Sequence, residues 1–489
     1  MANAMASTAS ASAGSITREI RHLTDEAGHS LAYEIGTLVV PEVRGRPDSR
    51  RITVGFARIP AAASAGPLPT FHLPGGPGSS YLGALDPKTD ADRIRLRELL
   101  AYRAVGEVIL LDQRGWSARG EMLRFAPRLK APRLDQPACL ASASQAFVEA
   151  ARAAVAANPD RDLAGYSVLE CADDVDDLRQ ALGYEKIILV GQSFGSQWSL
   201  AVMRRHAGTV ARALLSGLEP LDHAYDMPSH VFAALQRIAW DADRDPALAP
   251  YLPRGGVMAA LQAVRARLAP GAITVPVRDP RDGTRGAVTL GAEDFQRALL
   301  RPAEAWPGAV LAIFHRHYQA WATEVLDERT AATAELPLIA PLIDTSLGVT
   351  AAREHLLRTD PAGESLGWWD FDAYAASAAV WPSPDVGDGF RTPVVDPTPV
   401  VFLSGDWDTA TPIENMQGLL PYFPNGRAVL VHRGTHAVRA VLAERKSPVI
   451  DRILDFLRTG ETDHLPVAIT LPAPAFDLPP GVRPDRVRT

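Results

Sequence analysis

A hydroxyl, a carboxylate and an imidazole each stand just past a short apolar run of this chain, in the order Ser193, Asp408, His436. Ser193 is the centre of Gly191-Gln192-Ser193-Phe194-Gly195, directly after KIILV and before a helical stretch, Gln197–Arg205. Flanking glycines allow a tight strand-to-helix turn that lifts a serine hydroxyl above a sheet and aims the next backbone amide at the same space. A serine hydroxyl is a weak nucleophile that needs a base, itself oriented by an acid. For the acid, PVVFLSGDWDTATP offers Asp406 and Asp408; Asp408 is preferred, because Asp406 lies nearer the strand end and can serve to close the turn. For the base, AVLVHRGTH offers His432 and His436; His436 is preferred, because it follows a glycine-containing loop whereas His432 still belongs to the strand. A glycine-rich segment, His72-Leu73-Pro74-Gly75-Gly76-Pro77-Gly78, follows another apolar run. An amide of Gly75 or Gly76, with that of Phe194, is expected to hold the oxyanion of an acyl-transfer intermediate. In Asp112-Gln113-Arg114-Gly115, an aspartate with arginine two residues on is expected to form a pair that braces the neighbouring loops.

These groups need a scaffold that brings strand ends together. TFHL, EVILL, KIILV, ALLSG, PVVFL and AVLVH are short apolar runs, most of them closed by polar or glycine-rich residues, as expected of strands buried on both faces. Helical stretches between several of them indicate a mostly parallel sheet. Residues 33–40 and 51–58 read as earlier strands. Ser167 and Glu170 have the spacing of a capping box, and Val168, Leu169, Ala172, Val175, Leu178 and Leu182 follow at helical spacing until Gly183. The alternation stops between residues 219 and 395. Helical patterns occupy Val257–Leu268, Ala292–Leu300 and Ala309–Leu326, and ITVPV and GAVTL suggest a hairpin turned at Pro280 and Gly283. The expected organisation is a lead-in at 1–32, a core at 33–218, an inserted and mainly helical cap at 219–395, and the rest of the core with a tail at 396–489. Six of the nine tryptophans fall in the cap: Trp240, Trp306, Trp321, Trp368, Trp369 and Trp381. Most should pack its own core, with Trp368 and Trp369 as candidates to line a pocket.

The chain has 489 residues, 47% hydrophobic and 22% charged, with a formal charge of −7, which excludes wholesale disorder and a basic nucleic-acid footprint. Its two cysteines, Cys139 and Cys171, exclude a disulfide framework or a structural zinc site, leaving two buried thiols or one bridge. No apolar run approaches the ~20 residues that span a bilayer, and the Ala- and Ser-rich start lacks the basic and apolar regions of a signal peptide. A cytoplasmic protein is expected, with no cofactor, no metal, no membrane or nucleic-acid partner, and a small-molecule or short-peptide substrate.

PGGPG, LDQRG, GQSFGS and GDWDTATP, in this order, resemble the proline iminopeptidase branch of the α/β-hydrolases, most closely its tripeptidyl-aminopeptidase-like members. The resemblance covers about residues 33–217 and 396–460. It implies an α/β-hydrolase fold, Ser193 as nucleophile, Asp408 as acid and His436 as base, and cleavage of a peptide or amide bond near a substrate amino terminus. Two departures stand out. Pro74 precedes the two glycines where the family reads H-G-G-P-G, and Phe194 stands where the family often has tyrosine. Aminopeptidase members bind the free amine through cap acids; Glu219, Asp370 and Asp372 are the candidates here. The alternatives are an esterase or lactonase acting on a small natural product, and a non-catalytic binding protein of the same fold. Epoxide and halide chemistry is disfavoured, because those relatives carry aspartate in place of Ser193.

Overall fold

The structure is a computed structural model that describes residues 14–25, 28–125, 133–279, 281–331 and 335–483. Ten strands form its main sheet: β1 (Ile16–Thr24), β2 (Ser30–Pro41), β3 (Arg51–Ile59), β4 (Thr70–Leu73), β5 (Val108–Leu111), β6 (Ile187–Ser193), β7 (Val210–Leu218), β8 (Val400–Gly405), β9 (Arg427–His432) and β10 (Ala468–Thr470). Their spatial order is β1-β2-β3-β5-β4-β6-β7-β8-β9-β10. The first three pair antiparallel, β3 joins β5 antiparallel, and every later pairing is parallel. The apolar runs of β4, β5 and β8 are buried at every residue, because helices cover both faces of the sheet. Parallel strands end on one side, so the residues that follow β4, β6, β8 and β9 share one crevice.

Helix α1 (Leu140–Ala156) precedes α2 (Val168–Ala181). The Ser167 hydroxyl accepts the Glu170 amide at 3.4 Å, as the capping pattern predicts. The reciprocal half of that box is absent. The Glu170 carboxylate instead takes the amide and guanidinium of Arg44, at 2.8 and 2.5 Å. Gly183, at φ +78°, follows the helix end. The expected Asp112–Arg114 pair is not formed either. The chain leaves β5 and turns with Gly115 at φ +72°, so the two side chains part. Asp112 accepts from Ser80 and Ser117 at 2.5 and 2.9 Å. Arg114, fully buried, grips Asp174 of α2 through two bonds of 2.8 and 2.6 Å and donates to the carbonyls of Glu42 and Gly165.

Between β7 and its sheet neighbour β8 the chain adds helices and a hairpin, Ile273–Arg278 with Arg285–Leu290, but no strand of the main sheet. Pro280, expected to mark the hairpin turn, lies outside the described residues; Gly283 takes φ +75°. The helix expected over Ala309–Leu326 is two, Trp306–Phe314 and Gln319–Thr330, separated by Arg316 at φ +66°. The break is stabilised by Arg267, which donates to the end carbonyls of Ile313 and Phe314 at 2.9 Å each. Trp306 and Trp321 fill the apolar core of this region, Trp381 packs on Phe125, and Trp240 is 58% exposed.

Residues 133–140, placed in the first core segment by sequence, bond to the inserted region. Thr289 donates to the Leu134 carbonyl, Arg329 donates to those of Arg133 and Gln136, and Asp294 and Glu293 accept the amides of Ala138 and Leu140. The C-terminal segment also returns there, with the Asp477 amide donating to the Glu304 carbonyl at 3.0 Å. The cysteines are unbridged; Cys171 is buried, but Cys139 is exposed rather than buried. Among the described residues no helix is long and apolar enough to cross a membrane.

Candidate active site

Ser193 ends β6 at φ +56° and ψ −132° and leads directly into α3 (Phe194–Arg205). Left-handed backbone is costly for a residue with a side chain, and it persists where the surroundings enforce it. The glycines explain how they do. A Cβ on Gly191 would lie 2.3 Å from the Gly195 carbonyl oxygen, and one on Gly195 would lie 2.0 Å from that of Leu73. Phe194 is the first helical residue, so its amide has no carbonyl within the helix to bond. Its ring is buried against Trp198.

His436 and Asp408 come together as expected. His436 Nδ1 is 2.9 Å from Asp408 Oδ2, and the carboxylate is buried. Asp408 also accepts the amides of Ala410 and Thr411 at 2.9 Å each, and the Thr411 hydroxyl at 2.6 Å. The residue beside the nucleophile holds the histidine loop, since Gln192 Nε2 donates to the His436 carbonyl at 3.1 Å. A Cβ on Gly217 would stand 3.0 Å from His436 Cε1, so the ring lies over the end of β7. Among the described residues Ser193 and His436 share no hydrogen bond; such contacts often tighten only around a substrate. Burial lowers the imidazole pKa, but the Asp408 bond and the charges of Asp408 and Asp226 outweigh it and raise it above the ordinary value.

The two residues not preferred form a pair of their own. His432 Nδ1 lies 2.6 Å from Asp406 Oδ2, and Asp406 Oδ1 accepts the Arg433 amide at 2.8 Å. Arg433, at φ +62°, grips Asp241 on helix α4 (Pro228–Ala242) at 2.8 and 3.2 Å. Arg237 of the same helix pairs with Glu414 and donates to the Asp406 carbonyl. This second pair joins the loops after β8 and β9 to the inserted helices.

The glycine-rich loop lies against the nucleophile. A Cβ on Gly75 would be 3.0 Å from Ser193 Cβ and 3.5 Å from its Oγ. Gly76 takes φ +105°, a conformation that side chains disfavour. Sequence reasoning missed what holds this loop. Gln113, fully buried, accepts the Gly78 amide at 2.7 Å and donates to the carbonyls of Gly75 and Pro74 at 2.8 and 3.2 Å. An amide trapped in LDQRG between a buried strand and a buried arginine was the available signal.

Glu219 follows β7 and its amide donates to Ser196 Oγ at 3.0 Å. Among the described residues its carboxyl makes no hydrogen bond. Burial, then the charges of Asp226, Asp344 and Asp408, raise its pKa well above the usual carboxylate range. Asp226, which sequence reasoning also missed, is pushed up to about 7 by burial, although Asn415 Nδ2 donates to it at 2.6 Å. The missed signal was density: Glu219, Asp222 and Asp226 fall within eight residues past a strand end. Among the described residues no three such side chains are grouped to hold a metal ion. Trp368, a pocket candidate, is spent on packing. Its ring lies where a Cβ on Gly363 would meet it at 2.0 Å, and Nε1 donates to the Leu357 carbonyl at 2.8 Å. The side chains of Trp369 and Asp370 lie outside the described residues. Asp372 faces Arg358 at 3.8 Å.

Two family models match. One, described as alpha/beta hydrolase fold, covers residues 134–253 and so includes Ser193 and Glu219; the other, described as TAP-like protein, covers 369–468 and includes Asp408 and His436. The comparison with curated proteins finds no match. Solved structures similar to the chain include a thermophilic esterase from Thermogutta terrifontis (14% identity, 87% of this chain and 99% of that one, TM-score 0.35). An esterase from Exiguobacterium antarcticum (11%, 84% and 97%, TM-score 0.36) and a laboratory-evolved variant of potato epoxide hydrolase (13%, 90% and 99%, TM-score 0.35) are others. The sheet order and the strained serine between strand and helix give this chain the α/β-hydrolase fold, and the two family models support reading it as a hydrolase.

Proposed function

We propose that this hydrolase cleaves an amide bond beside a free amino terminus, through an acyl-enzyme on Ser193. The observation that carries this reading is a pair of half-buried acids past β7: Asn415 donates to both Asp226 and the Leu218 carbonyl next to Glu219, and both acids feel the charge of Asp408. Half-buried carboxyls that repel one another keep their protons to higher pH than they would in water. A substrate ammonium supplies the missing positive charge, displaces a proton and fixes the acyl half of the substrate next to the serine. The match of residues 369–468 to the TAP-like model agrees with this reading.

In the mechanism, His436 takes the Ser193 proton as Oγ attacks the carbonyl, and Asp408 stabilises the imidazolium that results. The oxyanion is held by the Phe194 amide and an amide of Gly75 or Gly76. His436 then protonates the leaving amine, so the C–N bond breaks and the acyl-enzyme remains. Water gives a proton to His436 and attacks the ester, and Ser193 leaves with that proton.

The test is a panel of aminoacyl and tripeptidyl p-nitroanilides, each with a free and an acetylated amine, beside simple p-nitrophenyl esters. Cleavage of the free-amine amides at tenfold or greater preference is expected. Ser193→Ala should abolish turnover, and Glu219→Gln should raise KM for free-amine substrates. Equal rates on acetylated amides would overturn the amine reading, and cleavage of esters alone would make the protein an esterase.

A further inference from the structure

Arg353 has no part in the chemistry above. It lies on helix α5 (Ala351–Thr359) and is 8% exposed. Its side chain makes one hydrogen bond, from Nη2 to the Tyr225 carbonyl at 2.7 Å, while Nε is buried with no partner. Five arginines of the described chain are buried: Arg114, Arg329, Arg353, Arg391 and Arg439. Four are bonded to carboxylates, Arg114 to Asp174, Arg329 to Asp294, Arg391 to Asp388 and Arg439 to Glu98. Among the described residues Arg353 alone of the five is in no ion pair. An arginine placed only to neutralise nearby acids would be bonded to one, as the other four are.

Its position is beside the acids past β7. Tyr225 immediately precedes Asp226, and Asn415 ties Asp226 to the Leu218 carbonyl, next to Glu219, through bonds of 2.6 and 3.2 Å. The guanidinium feels the charges of Asp222 and Asp226, yet burial outweighs them and lowers its pKa. Arginine remains charged at any ordinary pH, so a buried unpaired guanidinium has a strong demand for an anion. Its planar fork matches a carboxylate through two parallel bonds.

We infer that Arg353 receives a carboxylate on the acyl half of the substrate, beside the acids that receive its ammonium. The substrate class is then an acyl donor bearing both groups, an acidic amino acid at the amino end of the scissile bond. This rests on the amide-cleaving reading above. The same pair of charges comes from two sources: the side chain of an α-linked glutamate or aspartate, or the α-carboxylate of a residue linked through its side chain.

The experiment compares unblocked p-nitroanilides of α-linked glutamate, γ-linked glutamate, glutamine and alanine on the full chain. At least a tenfold higher kcat/KM is expected for one of the glutamate linkages over glutamine, and which linkage it is identifies the source. Arg353→Gln should collapse the glutamate-to-glutamine ratio at least tenfold, and Arg353→Lys, which keeps the charge but loses the fork, should retain part of it. The lysine variant also carries the test if the glutamine variant does not fold. In parallel, calorimetry on Ser193→Ala should show free glutamate binding at least tenfold tighter than glutamine. A wild type that cleaves glutamine and alanine donors as well as both glutamate linkages overturns the inference, while refusal of acetylated donors leaves the amine reading standing. If no free-amine amide is cleaved, the amine reading fails, and equal affinity for glutamate and glutamine then overturns the role of Arg353.

Discussion

Gln113 touches no substrate, yet the geometry assigns it a measurable share of the rate. Its amide makes three hydrogen bonds to Pro74, Gly75 and Gly78, and it is fully buried. In Gln113→Leu, similar in size, those loop groups lose their partner, and each unpaired buried polar group costs about 1–3 kcal/mol. The loop can recover that energy by turning its carbonyls and amide toward water, which withdraws the Gly75–Gly76 amide from the oxyanion. Losing one such donor costs roughly 3 kcal/mol, or about 10²-fold in kcat. Because the donor acts on charge that develops in the transition state, KM should change little. The assay is steady-state kinetics on the best substrate of the panel, with the rate of fluorophosphonate labelling of Ser193 as a second measure of the same donor. Gln113→Glu separates bonding from bulk, since its carboxylate can accept from Gly78 but repels the Pro74 and Gly75 carbonyls. It should fall nearer to leucine than to the wild type. A leucine variant with kcat within twofold of wild type would refute the reasoning.

Asp408→Asn should lower kcat by about 10⁴-fold while Asp406→Asn stays within about tenfold, because only the former bonds His436, the proposed base; equal losses would reassign the acid. The raised pKa of His436 keeps the base protonated and inactive to higher pH than an ordinary histidine of ~6.5, so the acidic limb of kcat/KM lies above that value. Asp226→Asn removes one charge that holds the proton, so the limb, measured on an ester without an amine, should move to lower pH; an unmoved limb would exclude the coupling. Arg114→Met leaves Asp174 and two buried carbonyls short of their partner, although Arg44 still meets Asp174 at 2.7 Å. Denaturant unfolding should show a loss of about 3–5 kcal/mol, and a loss under 1 kcal/mol would count against the bracing role.

The chain by itself determined what local rules control. Runs of apolar residues closed by turns gave the strands, and the spacing of Gly191, Ser193 and Gly195 located the strained turn, because steric exclusion of a Cβ acts within a few residues. That Asp408 and His436 stand past neighbouring strand ends and meet also followed from where each strand ends. Local rules misled where a side chain had a distant competitor. Glu170 fits a capping box but is taken by Arg44, 126 residues away in sequence. Asp112 and Arg114 are close in sequence but part at a turn, and each finds partners that no spacing reveals. Tertiary structure alone decided the groups that surround the chemistry: Gln113 under the glycine loop, Asp226 beside Glu219, and Arg353 from a helix more than 120 residues beyond both. Such groups meet because parallel strands end together and an inserted segment closes over them. Burial then raises the pKa of the two acids and leaves Arg353 without an ion-pair partner among the described residues, and burial is a property of the folded neighbourhood that residue identity does not carry.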